Sequence, residues 1–547
     1  MTQAAFLLSC QLSYSLVKYA HMGSIETNDR EIFAITGLAP EVLAVGMAKY
    51  SRSQASIKET IAELTEEKSA EFHEKWVLGY GDASVADMAV VALACENVSI
   101  LASKAIEDHR LASYQEKSTR YVSFERQALP DGTKLPRRYY RPVPIMSSVH
   151  TGLYEDTCEK MFDAYNDLTD LMQEFYKNKY PLIADMTEKG YTAKLKARSL
   201  DIARYVLPAS TLTNLGWITS ARSLRRAIFK MKQNDLDEIR QIAHEVEEAA
   251  TEPAHNPQAL KVDEFLKEGE QNPDPKIQEL MAKIRASINL QVKGAPTLIK
   301  YTDPTPYNRE ARHRMQELAI KYLGDLHVLA DEARVKFHPS QNLEIDLATT
   351  LLYEVTHFSF GQIREVIESL SPAERQEIIE AATTDRGDHD VVGRAFEAGG
   401  LIFDTLMDFG AFRDLQRHRI CTQIHQPLTL EHGFESPPMP MGLEEAGGLD
   451  IFETICQQVA ASYRILSADF PQEASYILPL ATKKRTLFFM NPRELTHMVE
   501  LRSRSGGHLS YRYIVEEMYN QVKAIYPNLA KHIRISEIDF AKDFYKR

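Results

Sequence analysis

The feature that most constrains the fold of this chain is an internal repeat. The segment at 108–121 reads Asp-His-Arg-Leu-Ala-Ser-Tyr-Gln-Glu-Lys-Ser-Thr-Arg-Tyr, and an altered copy at 417–429 reads Arg-His-Arg-Ile-Cys-Thr-Gln-Ile-His-Gln-Pro-Leu-Thr. The central histidines of the two copies are 309 residues apart, which is 418 minus 109. A single match of this kind does not establish a duplication.

A second pair of segments supplies the missing support. Residues 203–224 resemble residues 475–495, and in each segment a proline precedes an arginine by 14 residues, as 222 minus 208 and 493 minus 479 both give. Two motifs in the same order, each present twice, indicate a tandem duplication. With 547 residues, the chain also exceeds what one hydrophobic core usually organises. We therefore predict two domains, 1–275 and 276–547, which we call the first and the second half.

The amino-acid composition favours a soluble globular protein and narrows its partners. Apolar residues make up 44% of the chain and charged residues 26%, which is ordinary for such proteins. The net charge of −13 disfavours nonspecific binding to nucleic acid or to an anionic membrane. We therefore predict neither nucleic acid nor a membrane as a partner. A local basic pocket for a small anion remains compatible with this charge.

Cysteine usage indicates a reducing compartment. The five cysteines, at positions 10, 95, 158, 421 and 456, are odd in number and scattered, and none forms a Cys-x-x-Cys pair. This pattern predicts no disulfide framework and no zinc cage. The apolar stretch Ala4–Leu8 is too short to span a membrane and follows no basic region. We expect a cytoplasmic protein.

Apolar residues at three- and four-residue spacing predict a mainly helical chain. These patterns cover 42–50, 56–64 and 70–79 in the first half, and 347–357, 360–370 and 373–383 in the second half. A helical insertion is expected at about 150–190, with a shorter counterpart in the second half. The strand candidates are 118–124 and 296–301, and the polar, proline-containing stretch 252–276 is the best candidate for a linker.

Both repeated motifs resemble the flavin-dependent thymidylate synthase family. Its signature is Arg-His-Arg, a short spacer, then Ser and a following Arg, and the stretch 79–87 resembles the turn and helix start on that family's flavin side. The resemblance covers most of 30–125, 195–250, 345–435 and 470–527. It implies an α/β (α+β) fold of two tandem domains, each a curved antiparallel sheet with packed helices. Because the family works as homotetramers with active sites between subunits, it also implies a homodimer that forms a pseudo-tetramer.

Neither half matches the family completely, and the two halves lack different residues. In the first half, Asp108 stands where the family has the leading Arg of the triplet, and Met231 where it has an arginine that faces the pyrimidine. A carboxylate at position 108 would repel a phosphate by on the order of 1 kcal/mol per charge pair at about 4 Å in water. The second half keeps both arginines but has Pro427, Thr429 and Ser475 where the family has Ser, Arg and Arg.

This complementary loss implies one nearly complete site built from both halves, because the family shares its nucleotide site between subunits in roughly this partition. We call it the composite site. Its pseudo-symmetric counterpart, the twin site, would contain Asp108, Met231, Pro427, Thr429 and Ser475 and should be inactive.

The resemblance also implies roles for the residues of the composite site. Arg502, which would polarise the pyrimidine carbonyl, and Ser118 would be catalytic. The nucleotide would be bound by Glu116, Ser118, Arg120, Arg204, Arg417 and Arg502. FAD would be bound by Glu116, Arg417, His418, Arg419, Asn491, Arg493 and His497. The implied reaction converts dUMP to dTMP, with FAD reduced by NADPH and methylenetetrahydrofolate as the carbon donor, and no metal is expected.

Two other functions stay open at the level of the sequence. One is an FAD-dependent enzyme of the same fold that acts on another pyrimidine nucleotide or on a folate-linked substrate, which the departures at Asp108, Gln115 and Lys117 favour. The other is a non-catalytic paralogue that binds a nucleotide or a protein. Any one of the arginines could also be a structural ion-pair residue. The sequence has no Walker loop and no Gly-x-Gly-x-x-Gly motif, which disfavours a P-loop or Rossmann nucleotide site.

Overall fold

A computed structural model describes residues 33–546 apart from 52, 54–55, 79–82, 127, 324–332 and 388–389. Cys10, the stretch Ala4–Leu8 and residues 79–82 of the flavin-side motif lie outside this described part. The described chain combines helices with two antiparallel sheets, one in each half. The predicted α+β fold class is therefore confirmed.

The two sheets share one strand order. The first sheet has the order β1-β3-β2, with β1 at Val90–Ser99, β2 at Ala112–Glu116 and β3 at Leu212–Ser220. The second has the order β4-β5-β7-β6, with β4 at Val335–His338, β5 at Leu401–Asp408, β6 at Thr422–His425 and β7 at Lys483–Met490. The order β5-β7-β6 repeats β1-β3-β2, and β4 is an additional edge strand. This repetition agrees with a tandem duplication.

Four strands run directly into a helix, and each junction carries a capping side chain. In every case a short polar side chain accepts a hydrogen bond from the N–H three residues further on. The pairs are Ser99 with Ala102, Ser220 with Ser223, Asp408 with Ala411 and Asn491 with Glu494, at 2.8 to 3.2 Å. Such caps satisfy N–H groups that the first helical turn leaves without a partner. They fix where each motif-bearing helix begins relative to its sheet.

The rest of the described chain is mainly helical, as the apolar spacing predicts. Up to residue 274, the α-helices are Pro40–Tyr50, Ile57–Ala62, Glu66–Phe72, Ile100–Glu107, Val143–Met146, Thr151–Lys179, Glu188–Ala203, Ala221–Met231, Asp237–Thr251 and Pro257–Glu270, and a π-helix lies at His73–Leu78. From residue 275 onward, they are Pro275–Ser287, Pro306–Leu323, Leu343–Tyr353, Phe360–Ser369, Pro372–Ala381, Phe409–Leu415, Leu449–Asp469, Pro492–Arg502, Leu509–Ile525, Pro527–Ala530 and Phe540–Asp543. The insertion helix Thr151–Lys179 has the shorter counterpart Leu449–Asp469, as expected.

The expected strands at 118–124 and 296–301 are wrong. The carbonyl of Ser118 accepts the N–H groups of Tyr121 and Val122 at 3.4 and 3.0 Å, so the chain turns directly after β2. At the second candidate, the N–H of Ile299 bonds to the carbonyl of Ala295 at 3.1 Å, which is a helical turn. Within the described residues neither stretch forms a strand, and Tyr121 and Tyr301 are exposed there.

The expected linker at 252–276 is also wrong. It contains the helix Pro257–Glu270 and the start of the helix Pro275–Ser287. Each helix begins with a proline, whose fixed φ suits a first turn, and is capped by the side chain of the preceding residue, Asn256 or Asp274. The polar composition of the segment reflects solvated helices and not an absence of structure.

The two halves meet along the segments that carry the second motif. Pro208 and Pro479 form an antiparallel bridge. On either side of it, the N–H of Ala209 donates to the carbonyl of Leu478 at 2.8 Å, and the N–H of Leu480 to the carbonyl of Leu207 at 3.0 Å. One cluster of buried apolar side chains runs through both halves. The halves therefore share a core, which brings residues of the two motif copies together.

The segment just after residue 275 also packs on the first half. The N–H of Ala295 donates to the carbonyl of Ala250 at 2.7 Å, and the N–H of Thr297 to the carboxylate of Glu41 at 2.8 Å. Lys232 donates to the hydroxyl of Thr302 at 2.8 Å. The division at residue 275 stays a prediction.

Candidate active site

Glu116, at the end of β2, is the buried anion around which the composite site is built. Its carboxylate accepts hydrogen bonds from Ser103 at 2.8 Å and from Lys104 at 3.0 Å, both of the first half. From the second half, Arg413 approaches to 3.0 Å and Arg417 to 3.4 Å. Burial opposes ionisation, but the charges of these cations outweigh it and hold the pKa of Glu116 well below its usual range. A charged Glu116 therefore ties β2 to the Arg-His-Arg motif of the other half.

Arg120 and Ser118 lie in the turn that follows β2. Arg120 makes a two-pronged contact with Asp201, at 2.8 and 3.4 Å, and donates to the carbonyl of Gly506 at 3.1 Å. Its Nη1 also donates to the hydroxyl of Tyr511 at 3.3 Å. The hydroxyl of Ser118 accepts the N–H of Arg120 at 3.2 Å. The partners Gly506 and Tyr511 belong to the second half, so this turn is held against it.

Arg502 is positioned by a neutral histidine. Its Nε donates to Nε2 of His418 at 2.8 Å, and Nδ1 of the same ring lies 2.9 Å from Glu494. Because an arginine only donates, Nε2 must be the acceptor and Nδ1 carries the proton that faces Glu494. Burial lowers the pKa of His418. The guanidinium of Arg502 also lies over the ring of Tyr511, 5.7 Å from its centroid.

Arg204 lies deepest in the group and faces Asp414. It is only 2% exposed, and its Nη1 is 3.7 Å from Oδ2 of Asp414. Its Nε and Nη2 have no hydrogen-bond partner among the described residues. The backbone of Gly410 packs closely against Arg204 and Asp408. A Cβ added at Gly410 would lie 3.4 Å from Nη2 of Arg204 and 2.9 Å from the carboxylate of Asp408.

Asp414 is the point at which the arginines converge. Burial opposes its ionisation, but Arg204, Arg120, Arg417 and Arg502 together lower the pKa of this carboxyl. These four are the arginines that the sequence assigns to the nucleotide, two from each half. The four arginines thus lie near two carboxylates, those of Asp414 and Glu116. Glu116 is itself one of the six residues predicted to bind the nucleotide, and the sixth, Ser118, lies beside Arg120.

Three of the predicted flavin residues, Asn491, Arg493 and His497, line a cavity of about 310 Å³. Its other lining residues include Val391, Val392, Ile420, Arg386, Glu397, Glu494 and Glu500. The described residues that line this cavity do not include Glu116, Arg417 or Arg419. The guanidinium of Arg419 instead lies over the ring of Tyr114, 5.4 Å from its centroid. His418 borders the cavity through His497, with ring centroids 5.5 Å apart.

The chemistry of this cavity fits a flavin ring. Val391, Val392 and Ile420 offer an apolar wall. The Oδ1 of Asn491 accepts the N–H of Glu494 at 2.8 Å, so its amide N–H groups are left to donate. The carboxylates have cationic or donor partners, as Glu397 has in Arg493 at 2.6 Å.

Comparison with known proteins follows the same division of the chain. A model of the family described as thymidylate synthase complementing protein matches residues 35–254 and 341–528, well over half of the chain. The chain belongs to this family. The match in two segments confirms the resemblance carried by the two motifs and the tandem arrangement.

The relatives of this chain differ in how much of its length they match. A UPF0159 protein of Chlamydia muridarum (strain MoPn / Nigg) is 28% identical over 98% of this chain and 98% of its own. A flavin-dependent thymidylate synthase of Clostridium tetani (strain Massachusetts / E88) is 24% identical over 34% of this chain and 67% of its own. A solved structure of a UMP/dUMP methylase from Streptomyces cacaoi, bound with 5-Br dUMP, is 14% identical, covers 38% of this chain and 96% of its own, and has a TM-score of 0.31. At that TM-score the likeness says nothing about function.

The twin site places a carboxylate and a histidine at the positions of the Arg417–Glu116 contact, and we call Asp108 and His425 the inverted pair. Asp108 contacts Lys230, and its Oδ1 is 3.3 Å from Nε2 of His425. Positions 108 and 425 correspond to 417 and 116 at the 309-residue offset, so the carboxylate of this contact lies in the triplet segment and not at the end of the strand. Although burial opposes it, His425 and Lys230 hold the pKa of Asp108 well below its usual range. Asp108 and Met231 line a cavity of about 240 Å³.

Several residues of the composite site were missed at the level of the sequence. Arg413 precedes Arg417 by four positions, and this spacing is a signal that could have been used, although the helix that carries Arg413 ends at Leu415. Asp414 and Glu494 adjoin predicted residues but gave no pattern of their own. Tyr511 and Lys104 are brought in by packing alone, through contacts with Arg120 and Glu116.

Other features of the described chain can be reported briefly. No helix in it is both long enough and apolar enough to cross a membrane. Within the same residues, no group of three or more His, Cys, Asp or Glu side chains is arranged to hold a metal ion. Cys95, Cys158, Cys421 and Cys456 are buried and free.

Proposed function

We propose that this protein is a flavin-dependent thymidylate synthase that converts dUMP to dTMP in the composite site. The observation that carries the proposal is the meeting of arginines from both halves. Arg120 and Arg502 both lie against Tyr511, at 3.3 Å from its hydroxyl and 5.7 Å from its ring centroid. Arg204 lies 3.7 Å from Asp414. Arginine suits the task because its planar fork binds phosphate or a carbonyl edge through two hydrogen bonds and stays charged. Membership of the thymidylate synthase complementing protein family supports the same reading.

In this proposal different arginines bind different parts of the nucleotide. Arg204, Arg120 and Arg417 hold the phosphate, with the hydroxyl of Ser118 beside them. Arg502 faces the pyrimidine and stabilises negative charge that develops on the ring, as a preorganised donor does in a partly dry site. The bond from His418 keeps Arg502 in place. Glu116 keeps Arg417 next to the turn that carries Ser118 and Arg120.

The flavin would be held by Asn491, Arg493 and His497 in the 310 Å³ cavity, with His418 between it and Arg502. Bound FAD, reduced by NADPH, would supply the redox chemistry, and methylenetetrahydrofolate would supply the carbon. The chain's part is to position the nucleotide and to set the field around it. We further propose a cytoplasmic homodimer with one working composite site per chain, since the inverted pair Asp108–His425 replaces an arginine contact in the twin site.

Binding and turnover test the proposal directly. Purified protein loaded with FAD should bind dUMP at one site per chain and release tritium from 5-tritiated dUMP when NADPH and methylenetetrahydrofolate are added. It should also support thymidine-independent growth of a thymidylate-auxotrophic host. A preparation that binds no FAD at high flavin concentration contradicts the enzyme proposal and leaves the non-catalytic paralogue. Two equal dUMP sites per chain contradict the inactive twin.

The position of Asp414 favours one alternative function. A carboxylate among the arginines is also what a site for a less highly charged substrate would contain, such as another pyrimidine or a folate-linked molecule. Protein that holds FAD tightly but neither releases tritium nor complements the auxotroph would support this alternative.

A further inference from the structure

Asp414 faces the arginines to which the proposed function assigns the phosphate of the substrate. Its Oδ2 is 3.7 Å from Nη1 of Arg204, beyond hydrogen-bond distance. The charges of Arg120, Arg417 and Arg502 also act on it. Within the described residues the Asp414 carboxylate accepts no hydrogen bond, so only its charge binds it to the arginines. A carboxylate held in this way can be exchanged for an anion that makes hydrogen bonds.

The arginines around Asp414 differ in their other partners, of which some are carboxylates and one is neutral. Arg120 has its own carboxylate in Asp201, at 2.8 Å, and Arg417 has Glu116, at 3.4 Å. Arg502 donates to His418, whose lowered pKa makes it a neutral partner.

Arg204 is the least satisfied member of the group. Its Nε and Nη2 are buried without a hydrogen-bond partner among the described residues. The nearby carboxylate of Asp408 is already engaged by the hydroxyl of Ser510 and the N–H of Ala411. Arg204 therefore has donors to offer an incoming anion, and Asp414 is the carboxylate that such an anion would meet.

We propose that Asp414 is a displaceable counterion of the phosphate subsite, which the phosphate of the substrate replaces beside Arg204 while the site takes up a proton. The inference rests on the proposed function, in which the anion is the phosphate of dUMP. It makes Asp414 a residue that sets how strongly the site accepts a doubly charged phosphate.

The proton uptake follows from the arrangement of charges. Without a ligand, the four arginines keep Asp414 ionised, because they lower the pKa of its carboxyl despite burial. A phosphate that arrives beside it is a like charge, and two anions that share one site raise each other's pKa values. Because a phosphate monoester has its second pKa near about 6, one proton is taken up by the pair near neutral pH. The affinity for dUMP should therefore fall as the pH rises from about 6.5 to about 8.

Calorimetry on the unmodified protein gives the first test. FAD-loaded protein is titrated with dUMP at constant pH in two buffers of different ionisation enthalpy. The difference between the apparent binding enthalpies should correspond to uptake of a substantial fraction of one proton per dUMP. Titration with deoxyuridine, which lacks the phosphate, should show none. Binding of dUMP without proton uptake overturns the inference, and this measurement needs no variant.

The variant Asp414→Asn gives the second test. It removes the charge and keeps the shape, so dUMP should bind roughly tenfold or more tightly, and the pH dependence of the affinity should flatten. Asp414→Glu keeps the charge and should keep both the weaker affinity and the proton uptake. The matched control is Asp346→Asn, which removes another arginine-paired carboxylate, 2.6 Å from Arg364 on helices outside the cluster, and should change neither. Equal or weaker dUMP binding by Asp414→Asn overturns the inference.

Inorganic phosphate separates this inference from the proposed function. Phosphate needs only the subsite, so its affinity should also rise in Asp414→Asn and stay unchanged in Asp346→Asn. If phosphate shows this pattern while dUMP binds neither to the wild-type protein nor to Asp414→Asn, the counterion role stands and the choice of dUMP as substrate fails. If phosphate binds equally to the wild-type protein and to Asp414→Asn, the counterion role fails whether or not dUMP binds.

Discussion

Arg502 and Met231 occupy corresponding positions in the two halves, nine residues beyond Arg493 and Arg222, and they give a matched pair of substitutions. Arg502→Ala removes the charge that faces the pyrimidine and should raise the barrier by roughly 3 kcal/mol, a loss of about a hundredfold or more in turnover. Met231→Arg should restore nothing, because it adds an arginine next to the inverted pair Asp108–His425. Tritium release from 5-tritiated dUMP measures both.

Near-normal turnover in Arg502→Ala would place the chemistry elsewhere, above all if Ser118→Ala and Arg120→Ala were also active. A gain in turnover or a second dUMP site in Met231→Arg would show that the twin site lacks only one residue. Folding of each variant is checked by its FAD content, since Arg502 is absent from the described residues that line the flavin cavity.

Lys484, in the twin cavity, is a lysine whose titration should depart visibly from normal. Burial lowers the pKa of this lysine to about 8, and its Nζ donates to the carbonyl of Gln426 at 2.6 Å. A lysine that loses its proton more readily in the folded state makes folding less favourable while it is charged. Its contribution to the free energy of unfolding should therefore rise as the pH goes from about 8 toward about 10.4, where the unfolded lysine titrates.

Nuclear magnetic resonance of protein with ¹³C-methylated lysines measures this titration directly. One resonance should titrate near pH 8, and it should be missing from Lys484→Arg. Ordinary lysine side chains, whose unperturbed pKa is about 10.4, give the reference range for the comparison. If every resonance titrates together at high pH, Lys484 is better solvated than its burial indicates.

At the scale of elements, strand β2 depends on the charge at its end. Glu116→Gln leaves Lys104, Arg413 and Arg417 facing a neutral amide in a buried place, which should cost on the order of 3 kcal/mol of the free energy of unfolding. Denaturation by urea measures the loss, and Glu96→Gln on the exposed face of β1 is the control that should change little. A loss equal to that of the control would mean that water reaches these cations.

The pH dependence of the same element has a defined sign. Because the pKa of Glu116 is depressed in the folded protein, its contribution to stability is fully present above the unfolded value near about 4.3 and is lost as the pH falls below it. Wild-type protein should therefore lose stability on acidification more steeply than Glu116→Gln does. Urea midpoints at several values of pH below 5 compare the two; parallel curves would contradict a depressed pKa.

The elements also show how far local sequence patterns reach. Apolar spacing predicts the helices within 42–79 and 347–383 but misses the helix Pro257–Glu270. A proline or a short polar residue marks several helix starts, as at Asn256 and Ser371. Apolar spacing does not predict the strands, because each of them forms only by pairing with another strand. Strand β3 pairs with β1 and β2 from opposite sides, and its partners lie about a hundred residues away in the chain. Residues 118–124 look like a strand but have no such partner, and they turn instead.

At the scale of the whole molecule, the shared core makes the halves interdependent. The backbone bonds around Pro208 and Pro479 and the common apolar cluster leave each half with a large uncovered face when it is alone. Residues 1–275 or 276–547 expressed separately should aggregate or stay unfolded, and coexpression should recover a one-to-one complex that binds FAD. Size exclusion and absorbance near 450 nm measure both.

A second pair of fragments tests where the first half ends. Because Lys232 contacts Thr302 and Asp303, a chain cut after residue 303 keeps these contacts within one fragment. This pair should recover more complex than the pair cut after residue 275. A stable, soluble 1–275 fragment would contradict the shared core and support two independent domains.

The sequence by itself determined the duplication, the family and the division of arginines between the halves. These rest on residue identities at fixed spacing, which folding does not change. The tertiary structure alone decided that Asp414 lies near the arginines, that Glu116 balances cations of both halves, and that Asp108 and His425 meet at the corresponding place in the twin site. Each of these joins groups from different elements, in two cases about three hundred residues apart in the chain. Local periodicity carries no information about such pairs, because burial and long-range packing place them.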